Sequence, residues 1–120
     1  MAEVLIVDDA AFMRLTIRQM LESHGHSVAA EASNGLEAVW RYKEVKPDVV
    51  ILDLTMPEMN GLDALDHIRE HDPKAKVIVC TAMGQHTMVA QAIEKGAKDF
   101  IVKPFEVGRL IAAIEKVMDM

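Results

Sequence analysis

The chain has 120 residues, enough to close one hydrophobic core and too few for a second domain, so one domain over residues 1–120 is expected. Nineteen acidic residues against 13 basic ones leave a formal charge of −6, the wrong sign for a surface that must neutralise phosphate backbones, which argues against direct nucleic-acid binding. No apolar stretch approaches the roughly 18 residues that span a bilayer, and acidic Glu3 and Asp8 interrupt the start where a signal peptide is apolar. The single cysteine, Cys80, can make no internal disulfide, so a cytoplasmic setting is expected, and nothing in the composition demands an oligomer.

The first apolar run, Val4 to Val7, stops on Asp8 and Asp9. A helix-like stretch follows and Gly25 marks its carboxyl-terminal stop. A weaker strand near Ser27 to Ala30 reads as a sheet edge, and Asn34 with Glu37 three residues on reads as the cap of a second helix. Val49 to Leu52 stops on Asp53. Asn60 with Asp63 repeats the cap signal, and Asp72-Pro73 ends the third helix. Val77 to Cys80 stops before Thr81, Gly96 closes a fourth helix, and Phe100 to Val102 stops on Lys103. In a last helix from about Glu106 to Met118, the residues Val107, Leu110, Ile111, Ile114 and Val117 recur at spacings of three and four and draw one apolar stripe. Strand and helix thus alternate five times, and the strand runs are apolar throughout rather than alternating with polar residues. That pattern belongs to an α/β domain with a doubly wound parallel sheet covered by helices on both faces.

Parallel strands in one sheet place their carboxyl ends along one edge, so Asp8, Asp9, Asp53, Thr81 and Lys103 converge on one crevice. A donor set of carboxylates without histidine or cysteine suits a hard cation such as Mg²⁺. Two ionised carboxylates about 4 Å apart repel by roughly 4 kcal/mol at an effective dielectric near 20, so the site without metal is strained. A carboxylate attacks a phosphoryl group when a metal and fixed cations offset the charge on the equatorial oxygens. Asp53 is the natural nucleophile. Asp9 then holds the metal directly and Asp8 supports it, Lys103 pairs with the phosphate and Thr81 donates a hydrogen bond to it. Taken singly, each aspartate is as well explained by a structural role, Asp8-Asp9 capping the first helix and Asp53 ending a strand, as by a site; the convergence of all three with Thr81 and Lys103 favours the site. His67 and His71 have a zinc-compatible spacing, but His67 falls largely opposite the stripe of Leu62, Leu65 and Ile68 and no third ligand is in view, which argues for solvated side chains. Met13, Met20 and Met88 suit ordinary core packing, Met56 and Met59 suit a partly exposed loop around Pro57, and Trp40 belongs at the surface.

The segments IVDD at 6–9, LDLTMPEMNG at 52–61, TAMG at 81–84 and DFIVKPF at 99–105 resemble the receiver domains of bacterial two-component signalling, in particular the stand-alone regulators of chemotaxis. The resemblance covers the whole chain. It implies a flavodoxin-like (βα)5 fold with strand order 2-1-3-4-5, an aspartyl phosphate on Asp53, and Mg²⁺ held by Asp8, Asp9, Asp53 and the backbone carbonyl of Thr55. It further implies phosphate contacts from Thr81 and Lys103, and a cis bond between Lys103 and Pro104. The implied partners are a histidine kinase such as CheA, the flagellar motor switch protein FliM, and a phosphatase. The switch it implies runs from Thr81 through an aromatic at Phe100 to the face built by the fourth helix, fifth strand and fifth helix; here the aromatic lacks the hydroxyl that tyrosine often supplies. Thr55 and Met83 offer neither acid nor amide to an attacking water, so slow self-dephosphorylation is expected.

Three other readings use the same crevice. An aspartate-nucleophile phosphohydrolase of the haloacid dehalogenase kind has a second acid two residues after the nucleophile, where this chain has Thr55. A flavin or nucleotide binder needs a glycine-rich turn, and the first loop reads Asp8-Asp9-Ala10-Ala11. A single-domain phosphorelay intermediate stays within the family and differs only in the target.

Overall fold

Strands β1 (Glu3–Val7), β2 (Ser27–Ala32), β3 (Val49–Asp53), β4 (Val77–Ala82) and β5 (Asp99–Lys103) pair in parallel in the order β2-β1-β3-β4-β5. The computed structural model describes residues 1–56 and 59–120, so Pro57 and Glu58 of the LDLTMPEMNG segment lie outside the described residues. Helices α1 (Ala11–Glu22), α2 (Gly35–Val45), α3 (Gly61–His71), α4 (His86–Glu94) and α5 (Val107–Met118) connect them. Alternate residues of each strand face opposite sides, which gives two cores. Leu5, Val7, Val50, Leu52, Val77 and Val79 meet α2, α3 and α4 on one side. Val4, Ile6, Val49, Ile51, Ile78, Cys80 and Ile101 meet Ile17 and Leu21 of α1 and the stripe of α5 on the other. The expected doubly wound α/β sheet, its order and its uniformly apolar inner strands are all present.

Small differences come from the ends of elements. β2 reaches Ala32, and Thr81 and Lys103 lie within β4 and β5, Thr81 one residue before the end and Lys103 at the end, rather than just beyond them, because their backbones still pair with Val102 and Ala82. Glu106 is the N-cap of α5 and not its first turn. Asn34 Oδ1 accepts the Glu37 N–H at 2.8 Å and Asn60 Oδ1 the Asp63 N–H at 3.0 Å, as the cap pattern requires. The Glu37 carboxylate turns back to the N–H of Ser33, one residue before the cap. Gly25 and Gly96, with φ of +82° and +104°, take the left-handed conformation that ends α1 and α4. Trp40 is 65% exposed, and His67 and His71 are exposed on α3. Met13, Met20 and Met88 pack at the core margins and Met56 and Met59 are half-buried. Among the described residues no helix is long and apolar enough to cross a membrane.

Candidate functional site

Leu54, Met59 and Gly61, which follow Asp53, are each held by backbone hydrogen bonds. Leu54 donates its N–H to Cys80 O at 3.1 Å, Gly61 donates to Leu54 O at 3.0 Å, and Gly35 at the start of α2 donates to Met59 O at 3.0 Å. A Cβ at Gly61 would press into Asp53 O and Leu54 Cα, so glycine alone lets α3 start this close to the strand end. Asp53 is therefore fixed at the middle of the sheet edge, 4% exposed.

One carboxylate oxygen each from Asp8, Asp9 and Asp53 lies within 4.8 Å of the others, and among the described residues this is the one group of side chains arranged to hold a metal ion. Asp8 and Asp53 are buried while Asp9 is exposed. Lys103 Nζ crosses the crevice to donate to Asp8 Oδ2 at 2.6 Å and lies 3.6 Å from Asp53 Oδ2. Thr55 donates its N–H to Asp53 Oδ1 at 3.2 Å. Thr81 is buried beside them, and its hydroxyl hydrogen goes to Ala82 O at a long 3.4 Å. The five side chains named from the strand ends thus share one rim. The alternative that Asp8 caps α1 fails: Asp8 Oδ1 accepts the Ala10 N–H in the preceding turn, and the N-cap residue Ala10 has no side-chain cap.

Electrostatics match a site built for a cation. Burial pushes the Asp53 carboxyl above its ordinary value; the Lys103 charge and the Thr55 N–H pull it back only in part, and the charges of Asp8 and Asp9 push the same way as burial. Burial also works to lower the Lys103 ammonium, but its bond to Asp8 and the charges of Asp53 and Asp8 outweigh this and leave it above the usual lysine value. One ammonium among three carboxylates leaves excess negative charge. An all-oxygen set with room for waters fits a hard divalent cation.

Phe100 is 39% exposed on β5, and a hollow of about 410 Å3 lined by Thr81, Met83, Val89, Phe100 and Val102 joins it to the crevice. Thr55 and Met83 are exposed at the rim. The Lys103–Pro104 bond is cis. The spacing of charged residues along the chain does not single out the arginines behind the rim: Arg14 Nη1 donates to Asp8 O at 2.6 Å, and both Arg14 and Arg18 bind Glu31. A signal existed in retrospect, an arginine about one and a half helical turns after the acidic pair.

Residues 4–115 match the response regulator receiver domain. The chemotaxis protein CheY of Thermotoga maritima is 60% identical over 114 residues, 95% of each chain, and that of Bacillus subtilis is 54% identical over 116 residues, 97% of each. Among solved structures, CheY in the CheX-CheY-BeF3-Mg complex of Borrelia burgdorferi superposes with a TM-score of 0.92 at 39% identity, over 96% of this chain and 87% of that one. A receiver domain of Clostridium thermocellum gives 0.93 at 30% identity, over 99% and 95%. With the fold, the acidic rim and these likenesses in agreement, the chain belongs to the response regulator receiver family of two-component signalling, among its CheY-like chemotaxis regulators.

Proposed function

We propose that this chain is a phosphoacceptor switch: Asp53 takes a phosphoryl group from a phosphohistidine of a CheA-like kinase, and the face of α4, β5 and α5 then changes and binds a FliM-like motor switch protein. The observation that carries the reading is the approach of Asp53 to within 4.8 Å of the Asp8 and Asp9 oxygens, with Lys103 Nζ 3.6 Å away. In the transfer, an Asp53 carboxylate oxygen forms a bond to phosphorus as the P–N bond of the phosphohistidine breaks. The imidazole leaves with the bonding pair and gains a proton from solvent, so atoms and charge balance.

The residues that would hold Mg²⁺ are Asp9 and Asp53, the Thr55 carbonyl, and Asp8 directly or through water. When bound, the ion supplies positive charge against that gathering on the equatorial oxygens. Lys103 shifts its bond from Asp8 to a phosphoryl oxygen, which its 3.6 Å distance to Asp53 makes a short movement. Thr81 exchanges its long bond to Ala82 O for a phosphate oxygen. Movement of Thr81 toward the site opens the hollow to the Phe100 ring, whose position is set by packing alone because it carries no hydroxyl.

Incubation with acetyl phosphate and Mg²⁺, followed by mass spectrometry, tests the reading. One phosphoryl group is expected on the unsubstituted chain, none on Asp53→Ala, and a reduced level on Lys103→Ala. Unchanged uptake by Asp53→Ala overturns it. With neither acid nor amide at Thr55 and Met83, the acyl phosphate is expected to persist well beyond a few seconds, and Met83→Glu to shorten its lifetime.

A further inference from the structure

Behind its carboxylates, the acidic rim is tied to the sheet edge. β1 ends at Val7, so Asp8 and Asp9 sit in the turn that leads into α1. Every polar group of Asp8 in that turn is held. Its N–H reaches Ala32 O on β2 at 3.1 Å, Oδ1 accepts from Ala10 N–H at 2.9 Å, Oδ2 accepts from Lys103 Nζ at 2.6 Å, and its carbonyl accepts from Arg14 Nη1 at 2.6 Å. Asp9 is exposed and follows Asp8 directly in the same turn.

The Arg14 guanidinium is itself anchored. Its Nε donates to Glu31 Oε1 at 3.0 Å, while the other Glu31 oxygen takes two bonds from Arg18, at 3.0 and 2.6 Å. Burial works to raise the Glu31 carboxyl, but the bonds from Arg18 and Arg14 outweigh it and hold the group below its ordinary value, so the anchor is an anion at neutral pH. A planar fork with one arm on the edge strand and one on the turn restrains distance and orientation together, which a lysine head cannot do.

We propose that Arg14, seated on Glu31, is a positioning residue for cation binding: through the Asp8 carbonyl it fixes the turn that presents Asp8 and Asp9 to a divalent ion. The proposal rests on the reading of those two aspartates as cation ligands. Its sign distinguishes it from a charge effect. Arg14 is a cation close to a cation site, so by charge alone its removal tightens metal binding; as a positioning residue its removal weakens it.

Calorimetric titration of the metal-free chain with Mg²⁺ decides between the two. Arg14→Gln and Arg14→Lys are both expected to weaken Mg²⁺ by about tenfold, the usual consequence of losing a residue that orients a ligand. Arg18→Gln, which leaves the Asp8 bond and one arginine on Glu31, stays within about twofold. Amide exchange at Asp9 and Ala10 in the metal-free chain quickens in the two Arg14 variants and not in Arg18→Gln. Unchanged or tighter binding in Arg14→Gln, or full affinity in Arg14→Lys, overturns the proposal while leaving the site assignment intact. Failure of the unsubstituted chain to take up Mg²⁺ overturns both.

Discussion

The two helices that flank the last strand are held very differently. α5 buries Leu110, Ile111, Ala113, Ile114 and Val117 against one face of the sheet, whereas α4 buries only Ala92 on the other, with Met88 and Val89 half-buried and Ile93 45% exposed. The cause lies in the sequence. α5 repeats large apolar residues at every turn of its inner face, and α4 sets a small alanine where it meets the core. Elements that change position in switching come from the less stable parts of a fold. β5 therefore has a deeply packed side and a thinly packed side, and the hollow lined by Thr81 and Phe100 opens on the thinly packed one.

The largest test of this contrast is truncation of one isoleucine on each helix, buried in α5 and exposed in α4. Ile114→Ala in α5 is expected to lower the unfolding free energy by about 3 kcal/mol, from lost burial and the cavity left behind. Ile93→Ala in α4 is expected to change it by less than about 0.5 kcal/mol. Chemical denaturation of both variants measures the difference, and equal losses would break the comparison.

The α5 half of this contrast is legible in the sequence. The spacing of Val107, Leu110, Ile111, Ile114 and Val117 reports the buried face of α5 directly, because a helix that buries one side must repeat at three and four residues. The acidic rim was legible for a different reason: parallel strands share an edge, so residues that end separate apolar runs meet whatever lies between them. Pairing within the rim was not. Nothing in the spacing says that Lys103 prefers Asp8 at 2.6 Å over Asp53 at 3.6 Å, since this depends on side-chain paths across three strands. Glu31 was equally hidden, because a glutamate on an edge strand looks like any solvated charge until two arginines from α1 are seen to close on it.

The rim differs from both helices in that its burial opposes stability. Burial raises the Asp53 carboxyl, so between the ordinary carboxylate value and the raised one the folded chain holds a proton that the unfolded chain has released. Stability from this group is thus present at low pH and lost as pH rises through the raised value. Asp53→Asn removes the charge and leaves Lys103 its bond to Asp8. In the metal-free chain at pH 7 its thermal midpoint is expected about 2–4 °C above that of the parent, an advantage that shrinks as pH falls toward the ordinary carboxylate range. Mg²⁺ should erase it by stabilising the parent more than the variant. A lower midpoint for Asp53→Asn in metal-free buffer would mean that Asp53 is held by favourable pairing, as a core residue is by packing.

The finest contrast separates neighbours on one strand. Ile101 faces α5 and is 1% exposed, while Phe100 faces the α4 side and is 39% exposed. Ile101→Val removes one methyl from a closed core and is expected to cost about 1 kcal/mol. Phe100→Tyr adds a polar atom where water already reaches the ring, and is expected to change stability by less than about 0.5 kcal/mol. Denaturation midpoints of the two variants, measured beside the parent, give both values. A loss at Phe100 as large as that at Ile101 would show that the α4 side is packed as tightly as the α5 side, and the path from Thr81 to the surface would then need a different moving part.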